Sequence, residues 1–216
     1  MASRQKISQM TPKGANLEAT DLLEISEDTG SGYVTKSITG QQIIAAGSYG
    51  LYTQTASSTP VTNTTTETSL LDGGVGSLMV PANGFKIGDS FHAILTGHVS
   101  SVNNHTLRIR IKANSIVLAD TSAITMAGTT SKHWKLEIYF TVRTLGASGV
   151  ASIAAGGSFM YTKNASTNFE GTNFSTETTT GFDTTINNTL AITAQWGTAN
   201  TGDSIYSEIF TLNKTF

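Results

Sequence analysis

Apolar and polar residues alternate with a period of two along the second half of the chain. Leu107, Ile109, Ile111 and Ala113 interleave with Arg108, Arg110 and Lys112; Trp134, Leu136, Ile138, Phe140 and Val142 interleave with His133, Lys135, Glu137, Tyr139, Thr141 and Arg143. In a pleated strand that pattern sends the first set to one face and the charged set to the other. Phe91, Ala93, Leu95, Gly97 and Val99 form a third such face, and Leu190, Ile192, Ala194 and Trp196 a fourth. Shorter β-prone runs lie at Ile116 to Ala119, Val150 to Ala154 and Ser158 to Thr162, and a last one at Ile205 to Leu212. Pro81-Ala82-Asn83-Gly84, Ile87-Gly88-Asp89, Gly146 to Gly149 and Gly156-Gly157 read as turns. Roughly eight or nine strands in about 145 residues is the spacing of a sandwich or barrel, and the absence of a repeat argues against a propeller or β-helix. The predicted fold is all-β, a jelly-roll-like antiparallel β-sandwich.

The N-terminal part has a different texture. Leu22, Leu23 and Ile25 precede the turn-rich Glu27 to Gly32, and Tyr33 to Ile38 reads as a second strand, so a hairpin is expected. Thr39 is placed to cap a short helix, Gly40 to Ala46, stopped by Gly47. A module this short buries too little to stand alone and should dock on something. From Ser48 to Thr68 the chain is rich in Thr and Ser and reads as a linker, which divides it into a module at 1–47, a linker at 48–68 and a sandwich at 69–216. In the last run Ile205 and Ile209 share one parity and Tyr206, Phe210 and Leu212 the other, with Phe216 at the end. A strand apolar on both faces predicts a second face against another subunit, with Tyr206, Phe210, Leu212 and Phe216 at the interface.

Composition narrows the function classes. Charged residues are 13% of the 216, about half the usual ~25%. About one residue in six is Thr, a type suited to half-exposed pleated surface. The net charge of −2 shows no basic excess, so neither nucleic acid nor an anionic membrane is an expected partner. No run approaches the ~18 apolar residues of a spanning helix, and the polar N-terminus lacks the pattern of a secretion signal. With no cysteine there is no disulfide, thiolate metal site or cysteine nucleophile.

The candidate chemistry is sparse. His92 and His98 share a strand face with His105 beyond the turn, but six residues of strand separate the first two by ~20 Å, so neither metal nor cofactor is expected. No G-x-S-x-G elbow occurs, and most acids sit at turns, where Asp serves the backbone, so no enzyme is expected. Arg108, Arg110 and Lys112 form a basic stripe that reads first as a solvated face and second as a site for anionic glycan or phosphate. Phe169 to Phe174 and Thr178 to Phe182 read as loops in which Phe169, Asn173, Phe174 and Phe182 mix aromatic area with amide and hydroxyl groups. That mix is the chemistry of a recognition surface, though Phe174 and Phe182 fit a core equally well.

Two segments resemble virion proteins of tailed bacteriophages. Leu17 to Glu27, with Thr20-Asp21-Leu22-Leu23-Glu24-Ile25-Ser26, followed by Tyr33 to Ile43, resembles the N-terminal module of phage tail and fibre proteins. Gly88-Asp89-Ser90-Phe91, Leu107 to Lys112, Gln195-Trp196 and Ile205 to Lys214 resemble trimeric jelly-roll domains of phage virions. The resemblance implies a homotrimer on the virion, attached to other virion proteins through Leu22, Leu23, Ile25 and Tyr33. It implies a short fibre or spike without enzymatic activity; adsorption to a host-surface glycan or protein is then expected through the recognition mix of Phe169, Asn173, Phe174 and Phe182. The alternative is a capsid decoration (cement) protein or tail adaptor with a structural role alone.

Overall fold

Every regular element among the described residues is a β-strand. The computed structural model describes residues 22–28, 30, 32–39, 50–163 and 168–216, and the chain divides into two units, Met1–Tyr49 and Gly50–Phe216. In the first unit, β1 (Leu22–Asp28) and β2 (Tyr33–Thr39) form an antiparallel hairpin with Leu22 opposite Thr39 and Asp28 opposite Tyr33. Gly30 takes a positive φ of 76° in the connecting turn, where other residues are strained. The helix expected at Gly40 to Ala46 lies outside the described residues.

The second unit begins with five short strands: β3 (Gly50–Gln54), β4 (Val61–Thr62), β5 (Thr68–Ser69), β6 (Gly74–Gly76) and β7 (Met79–Val80). The longer ones follow: β8 (Ser90–Ser101), β9 (Thr106–Ala113), β10 (Ile116–Asp120), the brief β11 (Ile124–Thr125), β12 (Thr129–Thr144), β13 (Ser152–Thr162), β14 (Phe169–Thr178), β15 (Asn188–Trp196) and β16 (Ser204–Lys214). They form two antiparallel sheets packed as a sandwich. The larger runs β14-β13-β12-β8-β16-β3-β6 with β4 beside β16; the smaller runs β10-β9-β15-β5 with β11 beside β9 and β7 beside β15. The period-two faces meet between the sheets, where Trp134, Trp196, Tyr161, Phe159 and Phe210 are the bulkiest buried side chains.

Four expectations are corrected. The segment expected as a linker is part of the sandwich from Gly50 onward. Tyr52 is buried beside Phe210, with ring centroids 5.7 Å apart, and donates its hydroxyl to the Asp72 carbonyl at 2.6 Å. Val61 is 1% exposed, and its carbonyl accepts the Trp196 indole N–H at 2.9 Å. The buried Ser207 N–H donates to Ser58 Oγ at 2.9 Å, and the Ser58 N–H donates to the Ser207 carbonyl at 2.8 Å. Low complexity here reflects strands of two to five residues held by long-range hydrogen bonds rather than by apolar alternation.

Gly156-Gly157 is no turn: both residues lie in the middle of β13. A Cβ on Gly157 would fall 2.1 Å from the Glu137 carbonyl oxygen, so the pair marks a close approach of β13 to β12. Residues 169–178 are no loop but the strand β14, paired without a register shift to β13.

The faces of β16 also differ from a simple period of two. Ser207 pairs with Gly97 and Ile209 with Thr96, so Glu208 is an extra residue, a β-bulge. Ile205, Ser207, Phe210 and Leu212 therefore point inward, while Tyr206 and Ile209 point out. Phe210, at 0% exposure, and Leu212 are core residues, not the interface residues expected. The Trp134 indole N–H lies 3.1 Å from the Tyr206 carbonyl and 3.2 Å from that of His98, tying the bulge to the core.

Candidate functional site

The edge strand β14 carries the most concentrated recognition chemistry. Its pairing places Phe169 opposite Thr162, Gly171 opposite Met160 and Asn173 opposite Ser158. Phe169, Gly171 and Asn173 share the outward parity with Met160, and Phe169 is 62% exposed. Together with Glu170 and Thr172 they line a shallow depression of about 280 Å³. At Gly171 a Cβ would lie 2.0 Å from the Phe159 carbonyl oxygen, so β14 approaches β13 closely there.

Glu170 is fixed at the side of this depression. Its Oε2 accepts from Lys163 Nζ at 2.9 Å and from the Tyr161 hydroxyl at 3.1 Å. The Lys163 ammonium holds the Glu170 carboxyl below the usual carboxylate range, while burial pushes the Tyr161 phenol up. The Tyr161 oxygen also accepts the Ala127 N–H at 2.8 Å. The depression therefore presents an aromatic plate, a thioether, an amide and an ionised carboxylate whose charge is balanced by a lysine.

Of the expected recognition residues, Phe169 and Asn173 come together here. Phe174 points inward, half-buried against the core, with its ring over Gly157. Phe182 is a correction: it is 1% exposed, its ring 5.8 Å from Phe85, and it belongs to the core. Met160 was missed, although its parity in the run Ser158 to Thr162 marks it as an apolar residue on the outward face.

The remaining candidates are scattered. In the hairpin unit, Leu23, Ile25 and Val34 fall on one face by register and are exposed; Leu22 and Tyr33 lie on the same two strands. Tyr206 is half-buried on the outer face of the larger sheet. Phe216, 79% exposed, lies beside Gly88 at the end of the chain.

The basic stripe is neutralised where it stands. Arg108 pairs with Asp120 through Nε at 2.8 and 2.9 Å, Arg110 donates to Glu67 Oε2 at 2.9 Å, and Lys112 donates to Glu67 Oε1 at 2.9 Å. Although burial works the other way, the hydrogen bonds from Lys112 and Thr193 hold the Glu67 carboxyl low. Glu67 comes from the segment expected as a linker, so no local pattern could reveal the pairing. The stripe is a solvated, ion-paired face rather than an anion site.

The histidines are also dispersed. His92 and His98 point outward from β8, the His105 Nδ1 lies 2.6 Å from the fully buried Asp203, and His133 faces His98 across the strands. Among the described residues no three His, Asp or Glu side chains converge as a metal set requires. Comparison with protein-family models, curated proteins and solved structures finds no match to the chain.

Proposed function

We propose that this chain is a bacteriophage virion protein, a trimeric short fibre or spike that binds a host-surface glycan or protein and performs no catalysis. The depression on β14 carries the reading. An exposed ring such as Phe169 offers a flat apolar surface to the C–H face of a sugar, while Asn173, Thr172 and Glu170 offer hydrogen-bonding groups at its rim. The paired charges at Glu170 and along the Arg108 stripe favour a neutral ligand over a polyanion. The hairpin supports attachment to other virion proteins, because its exposed Leu23, Ile25 and Val34 form an apolar face and a two-stranded hairpin is marginal alone.

The test is gold-label imaging of particles carrying a tagged chain, together with competition by the purified protein against particle adsorption. Label at the tail or vertices, with competition lost in Phe169→Ala and Asn173→Ala, is the expected result. An even coat over the capsid without competition replaces the adsorption reading with capsid decoration.

A further inference from the structure

We infer that the outer face of the larger sheet, across β12, β8, β16 and β3, is the surface on which copies of this chain assemble. This rests on the trimeric reading and names the face that carries it.

The two outer faces of the sandwich differ in kind. That of the smaller sheet is covered by the ion pairs of Arg108, Arg110 and Lys112 with Asp120 and Glu67. That of the larger sheet exposes Tyr139 at 54% and Ile209 at 56%, with Ile94 half-buried between their rows and Tyr206 half-buried on the far side of Ile209. Register makes these one patch: Tyr139 lies opposite His92, Ile94 opposite Glu137 and Thr211, and Ile209 opposite Thr96. The His92 and Tyr139 rings stack with centroids 4.6 Å apart and planes 8° from parallel.

The Glu137 charge at the centre of this face is already compensated. Glu137 accepts from His92 Nε2 at 3.0 Å and from the Tyr139 hydroxyl at 2.8 Å, and its other oxygen lies 2.6 Å from Lys135 Nζ. Glu208 Oε2 lies 3.0 Å from His98 Nδ1, a close contact without hydrogen-bond alignment. A paired carboxylate is far cheaper to cover than a lone one. Both signs are present and neither dominates, so a second copy meets no net repulsion, whereas a strongly charged foreign partner would find nothing to steer it.

The area suffices. β8 pairs with β12 from Ser90 to Val99, roughly 33 Å at ~3.3 Å per residue. The four strands from β12 to β3 span roughly 19 Å, giving a footprint of up to about 600 Å², the lower end of what each partner contributes to a stable interface.

The test is sedimentation of the full chain at micromolar concentration, with Tyr139→Arg and Ile209→Arg as variants and Val117→Arg, exposed on the smaller sheet, as control. The expected result is a wild-type and control species at three times the 22.7 kDa chain mass, with association weakened on the order of 100-fold in the two variants. Because the chain lacks cysteine, Ile209→Cys supplies a readout that tolerates poor folding of the arginine variants. Its thiol should react many-fold more slowly than that of Val117→Cys in the assembled protein. A monomeric wild type overturns both the trimeric reading and this inference. An assembly that survives both arginine variants, or an equally reactive Ile209→Cys thiol, overturns the choice of face alone.

Discussion

A fragment beginning at Gly50 should fold as the full chain does, and one beginning at Ser69 should not. The second cut removes the Tyr52 ring and the Val61 side chain from the core, each contributing ~1.5–3 kcal/mol by burial. It also strips the partners of the Trp196 indole and of the buried Ser207, and each unsatisfied buried group costs ~1–3 kcal/mol. The total is on the order of 5–10 kcal/mol, comparable with the ~5–15 kcal/mol that holds a typical domain together. Both tryptophans, Trp134 and Trp196, lie in the sandwich core, so their fluorescence in a urea or thermal titration reports this unit alone. Protomer concentration must be held equal, since assembly shifts the midpoint. The fragment 50–216 should melt within a few degrees of the full chain, and 69–216 should show no cooperative transition at 25 °C. Within the full chain, Tyr52→Ala should cost ~3–5 kcal/mol, a fall of about 10 °C at ~2–4 °C per kcal/mol. A cooperative melt of 69–216 within about 5 °C of 50–216 would refute the assignment of β3 and β4 to the core.

Gly97→Ala should destabilise by ~3 kcal/mol or more in the same titration, because its Cβ would lie 2.0 Å from the Tyr206 carbonyl oxygen; an unchanged midpoint would mean the bulge shifts freely. Glu67→Gln should unmask Arg110 and Lys112 and retain the protein on a sulfated-polymer column at salt where the wild type flows through. Equal elution of the two would show that the stripe is not held neutral by Glu67. The Lys135 ammonium, then the Tyr139 hydroxyl and the His92 ring, lower the Glu137 carboxyl from 4.5 to about 2. The folded state therefore binds fewer protons than the unfolded one in that window, so this stabilisation is complete above the ordinary carboxylate range and disappears as the pH falls toward 2. The wild type should exceed Glu137→Gln in stability by on the order of 1 kcal/mol near pH 7, given the solvent near the group, and the gap should shrink severalfold by pH 2.5; a gap independent of pH would sink the attribution.

The strands legible in the sequence are those with apolar residues at every second position and a partner sheet to bury them. β8, β9, β12 and β15 meet that condition, and the faces expected for them are the faces observed. β14 does not, because at the sheet edge its inward parity carries Glu170, Thr172, Phe174, Thr176 and Thr178, and only Phe174 is apolar. The site on it was half visible: Phe169 and Asn173 stand out by residue type, but Met160 joins them only through the β13–β14 register. Phe182 carries the same local signal as Phe169, and its burial against Phe85 is a tertiary fact.

One residue accounts for the misplaced interface. Reading β16 as regular puts Ile205 and Ile209 together, and puts Tyr206 with Phe210 and Leu212. The extra residue Glu208 exchanges the parities midway, so that Ile205 and Phe210 share the core and Tyr206 and Ile209 share the outer face. The strand is thus apolar on both faces, as its composition implies, but the outward set differs from the expected one. A trace remained in the sequence: Gly97 interrupts the apolar parity of β8 at the position opposite the bulge, where Trp134 closes over it with its N–H between the Tyr206 carbonyl of the bulged strand and that of His98 on β8. A glycine in a core position facing a small polar residue is the mark of a bulge when the partner strand is known. Without that partner, which lies more than 100 residues further along the chain, it reads as a missing side chain. The same shift gives the outer face Ile209 in line with Thr96 and Lys135, so the bulge that hides Phe210 in the core also completes the apolar patch on which assembly is proposed.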